Sequence, residues 1–334
     1  MYTIYHNVAV RAIAAAAPAN ILDNEAYADT INEKRYRRKI LYTGIKRRHA
    51  AIGHQRASDL ASIAAEKLLK KLDWDPSTVK VLVFITQTPD LNRPSTAVLI
   101  QNKLHLSQDV LAFDINLGCS GFTSGIQIVA GMLSQIKGRG LLLMGDCHHH
   151  LPGTEFNGDY ILFGDGGAAA AMEYDEAAET IPSAQLTDGS RFRTLCSTYQ
   201  WGDIMDGNAI VLFSLSEVVD SINEFYEHYG ISKEDVDFYA LHQAQKIIVD
   251  GISQNCSLKP EKVLSAYQEY GNTSSASVPF AICANTDKFQ KNRLKIFACG
   301  FGIGLAWSSV LLSLDRDCIL PLIESDYAYP TLLG

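Results

Sequence analysis

An α/β fold built from two similar halves is predicted by three features of this 334-residue chain. Apolar runs of strand length alternate with stretches of helical period, the pattern of parallel or mixed sheets covered by helices. A glycine-rich turn that opens a strand occurs twice, at 164–174 and 300–314. A strand, a turn of small residues and a helix also occur twice, around Cys119 and around Asn272. The chain therefore reads as an internal duplication, with the two turns facing each other across a pseudo-twofold. The expected division is an N-terminal half at 1–174, a connector or cap at 175–208, and a C-terminal half at 209–334.

Taken in order, residues 1–10 alternate as a strand, and Pro18 and Asn20 make a turn. Asn24 to Ile40 reads as a helix. A basic run begins within it: Lys34, Arg35, Arg37, Arg38, Lys39, then Lys46, Arg47 and Arg48. Such a run is either a solvated face or a dock for an anionic partner. Ser58 to Leu72 is an amphipathic helix with Ser58 as its N-cap. Residues 79–85 form a buried strand, 86–90 a loop, and Ser95 to Leu104 a helix. The strand at 110–113 leads through the Cys119 turn to a helix at 126–133, and 140–146 is the next strand. Residues 160–174 give a glycine-kinked turn and a strand, whereas 175–208 are polar and irregular. In the second half, Val211 to Tyr229 is helical, 236–242 is a strand ending in His242, and Ala244 to Cys256 is a helix. A turn at 272–277 leads into a helix from Val278 to Phe289, followed by strands at 294–298 and up to Leu314.

Composition narrows the function. Apolar residues make up 47% and charged residues 20%, as in a soluble globular protein. A net charge of −8 argues against nucleic acid as a main partner. No apolar run reaches the ~18 residues of a membrane span, and the N-terminus lacks the layout of a signal peptide. Seven scattered cysteines, odd in number and without a C-x-x-C pair, read as reduced thiols of a cytoplasmic protein.

Cys119 sits at a strand-to-helix turn between glycines, in the run Asn116-Leu117-Gly118-Cys119-Ser120-Gly121. A helix N-terminus favours negative charge, so a lowered thiol pKa and a nucleophilic role are expected there. A small buried cysteine of the core is the other reading. A reactive thiol needs a base or cation and oxyanion donors nearby. His242, at a strand end, and Asn272, at a helix start, can supply them, although a lone histidine is more often structural. Cys147-His148-His149-His150 is a poor metal site, because consecutive residues rarely converge on one ion, and no metal or cofactor is expected. The two glycine-rich runs serve turns rather than phosphates, since neither opens a helix.

The chain resembles the β-ketoacyl-acyl-carrier-protein synthase III branch of the thiolase superfamily over nearly its whole length. The resemblance rests on Thr43-Gly44-Ile45, Thr88-Pro89-Asp90, Gly118-Cys119-Ser120-Gly121-Phe122, Phe163-Gly164-Asp165-Gly166, His242-Gln243-Ala244, the run 270–279 around Asn272, and Gly300-Phe301-Gly302. Each motif is weak alone; their order and spacing together are specific. The resemblance implies a thiolase-like pair of βαβαβαββ halves in five α-β-α-β-α layers, and a homodimer. It implies that Cys119 accepts an acyl group from a thioester. His242 and Asn272 then hold the thioester carbonyl of a malonyl unit while carbon dioxide leaves, and the enolate attacks the acyl-cysteine. Backbone N–H groups of Cys119 and Ile303 would form the oxyanion hole, and Phe301 would shield the site from water. The product would belong to fatty acid or specialised-metabolite biosynthesis.

Departures from the family pattern carry information. The residues that usually hold the adenine of coenzyme A align with Arg38 and Asn157, a further arginine with Tyr42, and the basic residue after His242 is displaced to Lys246. With the basic run retained, acyl carrier protein is favoured over acyl-coenzyme A as donor, approaching past Arg38, Lys46, Arg47 and Lys246. Arg93 replaces a gating aromatic; at the acyl-pocket mouth it would suit a polar primer, and as a surface residue it would mean nothing. Ile303 replaces a glycine, so its N–H serves the oxyanion only if its φ is negative.

The alternative on the same fold is an acyltransferase forming an ester or amide without decarboxylation, with His242 as general base. A papain-like protease suits the order Cys119, His242, Asn272 but not the position of the cysteine or its neighbours. An α/β-hydrolase elbow needs glycine where Leu117 stands. A non-catalytic subunit would be expected to lack one of the three residues.

Overall fold

The computed structural model describes residues 1–30, 34–150, 161–198 and 202–330. In chain order the strands and helices are β1 (Tyr2–Tyr5), β2 (Val8–Pro18), β3 (Ile21–Asp23), α1 (Asn24–Thr30), α2 (Lys34–Thr43), β4 (Arg47–His49), α3 (Ala57–Lys71), β5 (Val79–Ile85), α4 (Thr96–Lys103), β6 (Leu111–Ile115), α5 (Gly121–Ile136), β7 (Arg139–Asp146) and β8 (Gly166–Tyr174). They continue with β9 (Ile181–Thr187), β10 (Leu195–Thr198), β11 (Gly202–Met205), α6 (Gly207–Leu215), α7 (Glu217–Tyr229), β12 (Phe238–Leu241), α8 (Lys246–Asn255), α9 (Tyr267–Tyr270), α10 (Ser277–Cys283), β13 (Arg293–Gly302), β14 (Ala306–Asp315) and β15 (Ile323–Ser325).

Two sheets carry the fold. One has the order β15-β2-β8-β7-β5-β6, the other β1-β9-β14-β13-β12. The run β2-β8-β7-β5 in the first sheet matches β9-β14-β13-β12 in the second, which is the duplication. A counterpart of β6 survives in the second half only as a single parallel bridge between Tyr239 and Val263. Helices α5 and α10 lie between the sheets, and α5 packs on strands of both. Phe122, Ile126, Val129, Ala130 and Leu133 of α5 are fully buried there; each of the larger ones stabilises the fold by about 1.5–3 kcal/mol relative to exposure. Helix α3 covers the outer face of the first sheet, and α7 and α8 cover the second. The result is five layers, α-β-α-β-α.

The division between halves differs from the expected one. Residues 175–208 are not a connector throughout: β9 lies within them and pairs antiparallel with both β1 and β14. The strand escaped notice because its buried positions include polar residues. Ser183 is fully buried, its carbonyl accepts from Tyr229 Oη at 2.7 Å, and Gln185 Oε1 accepts from Ser124 Oγ at 2.8 Å. The termini also cross over. β1 belongs to the second sheet, and β15 pairs with β2 in the first.

Local boundaries shift too. The expected helix from Asn24 to Ile40 is two described helices, α1 and α2. Ser58 is not the N-cap of α3; Arg56 is. Ser58 Oγ instead donates to Asp90 Oδ2 at 2.6 Å. The helix expected from Val211 to Tyr229 breaks at Ser216, whose Oγ bonds back to Leu212 O at 2.7 Å. That expected from Val278 to Phe289 ends at Cys283.

Candidate active site

Cys119 follows β6 in a tight turn closed by Gly121 N–H donating to Gly118 O at 2.7 Å, and α5 starts at once. The residue is 8% exposed. Gly302 packs directly on it: with φ 152°, a Cβ there would stand 2.9 Å from Cys119 Cβ and 3.0 Å from Sγ. Only glycine combines that backbone with that approach. The next residue, Ile303, does not have a positive φ; its N–H, the Cys119 N–H and the Ser274 side chain act to favour an anion on the sulfur.

These donors do not make a resting thiolate. Burial, then the charge of nearby Asp146, push the Cys119 thiol up to about 12, outweighing the N–H groups of Ile303 and Cys119 and the Ser274 bond. The lowered pKa expected from the helix start is therefore reversed, because desolvation of a buried anion exceeds the helix-end effect. Asp146 is fully buried. It accepts from Gln87 N–H at 2.7 Å and Ser275 Oγ at 2.9 Å, tying the loop after β5 to the turn before α10.

His242 follows β12 by one residue and extends its pairing, its N–H donating to Cys299 O at 2.8 Å. Burial lowers its pKa to about 3, so the ring is neutral. Nδ1 stands 2.6 Å from Ser277 Oγ, and the ring lies edge-on to Phe301, centroids 5.3 Å apart at 87°. Phe301 is itself buried and adjoins Gly302. Asn272 is held by a short parallel bridge to Phe163: its N–H donates to Leu162 O at 2.8 Å and its carbonyl accepts from Gly164 N–H at 3.1 Å. Oδ1 accepts from Ser274 N–H at 2.9 Å, which fixes the amide so that Nδ2 is the free donor.

The fold thus joins Cys119, Asn272, His242, Phe301 and Ile303 through Ser274, Gly302 and the end of β13. Sequence reading did not single out Ser274, Ser277, Asp146, Gln87 or Gly302 for roles of their own. The serine-rich turn 274–277 was the available signal. Other expected residues lie apart. Arg93 is exposed on the loop before α4. Arg38 is exposed on α2, Lys46 is exposed, and Arg47 pairs with Glu269 at 3.1 Å. Lys246 pairs with Asp250 and, with Tyr42, Leu41 and Leu215, lines an open groove of about 460 Å3. Asn157 lies outside the described residues. The basic run is not one face, because Arg48 is fully buried, donating to Asn24 Oδ1 at 2.7 Å and Phe163 O at 3.3 Å.

Cys147, His148 and His149 do not converge. His149 Nδ1 meets Asp165 at 3.0 Å, and the His148 ring lies tilted against Phe163, centroids 4.6 Å apart. Among the described residues no group of three histidine, cysteine or acidic side chains is placed to hold a metal, and no helix is long and apolar enough to cross a membrane.

Comparisons with known proteins identify the family and the fold. Residues 113–189 match the model of the family 3-oxoacyl-[acyl-carrier-protein] synthase III, and residues 226–314 match its C-terminal model. The β-ketoacyl-[acyl-carrier-protein] synthase III of Lactococcus lactis is 31% identical over 325 residues, covering 90% of this chain and 98% of the relative. That of Acholeplasma laidlawii is 32% identical over 308 residues, covering 89% and 95%. The crystal structure of a 3-oxoacyl-(acyl-carrier protein) synthase from Burkholderia xenovorans superposes with a TM-score of 0.91 at 27% identity, covering 97% of this chain and 99% of that one.

Proposed function

The chain belongs to the β-ketoacyl-acyl-carrier-protein synthase III family, and on that premise we propose that Cys119 carries the acyl group it condenses with a malonyl thioester. The enzyme is an acyltransferase of thiolase-like fold. The observation that carries the site assignment is Gly302 packed directly on Cys119 Cβ and Sγ, which sets the cysteine beside Phe301 and the ring of His242.

The mechanism starts from neutral partners. The Cys119 thiol attacks the acyl thioester carbonyl, and its proton passes through neutral His242 to the leaving thiol. The acyl carbonyl oxygen then occupies the hole formed by the Cys119 and Ile303 N–H groups. A malonyl thioester enters, and its thioester carbonyl accepts hydrogen bonds from His242 Nε2–H and Asn272 Nδ2. The carbon–carbon bond to the carboxylate breaks, carbon dioxide leaves, and the electron pair becomes an enolate held by those donors. The enolate carbon attacks the acyl-cysteine carbonyl, the carbon–sulfur bond breaks, and the departing Cys119 thiolate takes a proton from solvent. Preorganised donors of this kind are each worth about 10²–10³ in rate, and Phe301, buried against His242, keeps water from the acyl-enzyme.

The donor is an acyl carrier protein in this reading. Lys34, Arg37 and Arg38 are exposed on α2, and the groove at Lys246 opens four residues after His242. Negatively charged carriers fit that face. The protein is a homodimer in this reading, joined along β6, the outer strand of its sheet, where Leu111 is 50% exposed. Its seven free thiols suit a reducing cytoplasm. Intact-mass analysis after exposure to acyl thioesters, on coenzyme A or carrier protein, tests the assignment. Acyl adducts that vanish in Cys119→Ala support it, and adducts that persist there refute it.

A further inference from the structure

We propose that the Gln87 carboxamide reads the acyl group carried on Cys119, selecting a short chain with a hydrogen-bonding group close to its thioester end. The inference rests on Cys119 being the acyl carrier. Gln87 leaves the end of β5 with its backbone pinned, since its N–H donates to buried Asp146 at 2.7 Å. Its carboxamide lies against Gly118, the residue before the nucleophile. A Cβ on Gly118 would stand 2.5 Å from Gln87 Oε1 and 2.7 Å from Ile303 Cγ2. One polar and one branched apolar side chain therefore crowd the turn beside Cys119, and Gly118 is what lets them approach.

Gly302 packs on the sulfur, and Gly300 closes on the Cys119 carbonyl. Gln87 is half-buried and Asn116 exposed, so the Gly118 side of the turn is bordered by side chains in part open to solvent. The amide there is under-used. Nε2 reaches only Asn116 Oδ1, at 3.5 Å, and among the described residues no donor meets Oε1. Covering such an amide with a purely apolar chain forfeits its hydrogen bonds to water. A chain bearing a hydroxyl or carbonyl replaces them. Sites that hydrogen-bond a substrate group reject the analogue lacking it more sharply than apolar pockets reject an added one. The branched Ile303 side chain limits length on the same side.

The test is single-turnover acylation of Cys119, followed by intact mass, with two thioesters of matched shape: 3-hydroxybutyryl and 3-methylbutyryl. The wild type is expected to take the hydroxy chain about 10-fold faster. Gln87→Leu is expected to cancel or invert that preference, and Gln87→Ala to cancel it and admit longer apolar chains. Adducts at Cys119 with no preference in the wild type, or with the same preference in both variants, overturn this proposal alone. No adduct with either thioester overturns this proposal alone; an adduct that persists in Cys119→Ala overturns the nucleophile assignment and this proposal with it.

Discussion

Ser277 Oγ stands 2.6 Å from His242 Nδ1, a polar contact that supports either neutral tautomer of the buried imidazole. A hydroxyl can donate to or accept from that nitrogen. The ring can therefore present a bare Nε2 to the thiol proton and an Nε2–H to the malonyl carbonyl. Ser277→Ala is expected to lower condensation turnover about 10-fold, with KM for the malonyl donor little changed, and Ser277→Thr to restore most of it. Steady-state kinetics of the three forms check this. A loss confined to KM would contradict it.

The paired pKa shifts predict how the free enzyme reacts with electrophiles. Cys119 is a thiol up to about 12 and His242 is neutral down to about 3. Alkylation of Cys119 by iodoacetamide is expected to be slow at pH 7 and to keep rising above pH 10, without a plateau near neutrality. The same shifts act on stability. The unfolded chain binds a proton at His242 below about 6.5 while the fold does not, so stability falls as pH drops from 6.5 toward 3. His242→Gln is expected to flatten that limb in urea titrations. At the alkaline end the thiol form is favoured by the fold, so the Cys119 contribution is present below about 9 and lost as pH rises toward 12.

Asp146 is the second cause of the raised thiol pKa. Asp146→Asn is expected to move the alkylation profile of Cys119 to lower pH. It also weakens the bonds from Gln87 N–H and Ser275 Oγ, at a cost of about 1–3 kcal/mol in unfolding free energy. The pH–rate profile and a denaturation curve on the same preparation separate the two effects.

Much of the site was legible because its parts sit at turns that need particular residues. The Cys119 turn is bracketed by glycines, His242 stands where a short buried strand ends, and Asn272 follows Gly271, whose φ is 68°. The direction of the thiol pKa was not legible, since it depends on burial delivered by Gly302 and the second half of the chain. β9 was hard to read because its pattern is broken by buried Ser183 and half-buried Gln185, whose partners come from distant parts of the folded chain. Arg48 read as one more surface cation, and nothing local marks it as the buried partner of Asn24 and Phe163.

That distinction has a measurable consequence. Arg48→Met leaves the buried acceptors on Asn24 and Phe163 without that donor and is expected to destabilise the fold by about 1–3 kcal/mol. Arg38→Glu, on the exposed face of α2, is expected to leave the unfolding midpoint unchanged and to raise KM for carrier-linked donors several-fold, an effect that fades with added salt. Equal effects on carrier-linked and coenzyme A-linked donors would argue against carrier docking on that face.

In the proposed function, Cys119 holds an acyl group for a decarboxylating condensation. The most direct measurement follows carbon dioxide and product together after the purified protein is acylated and then given a malonyl thioester. One carbon dioxide per β-ketoacyl product is expected, formed from acyl-Cys119, with no condensed product from Cys119→Ala. Acyl transfer to an amine or hydroxyl without carbon dioxide, or condensed product from Cys119→Ala, would contradict it.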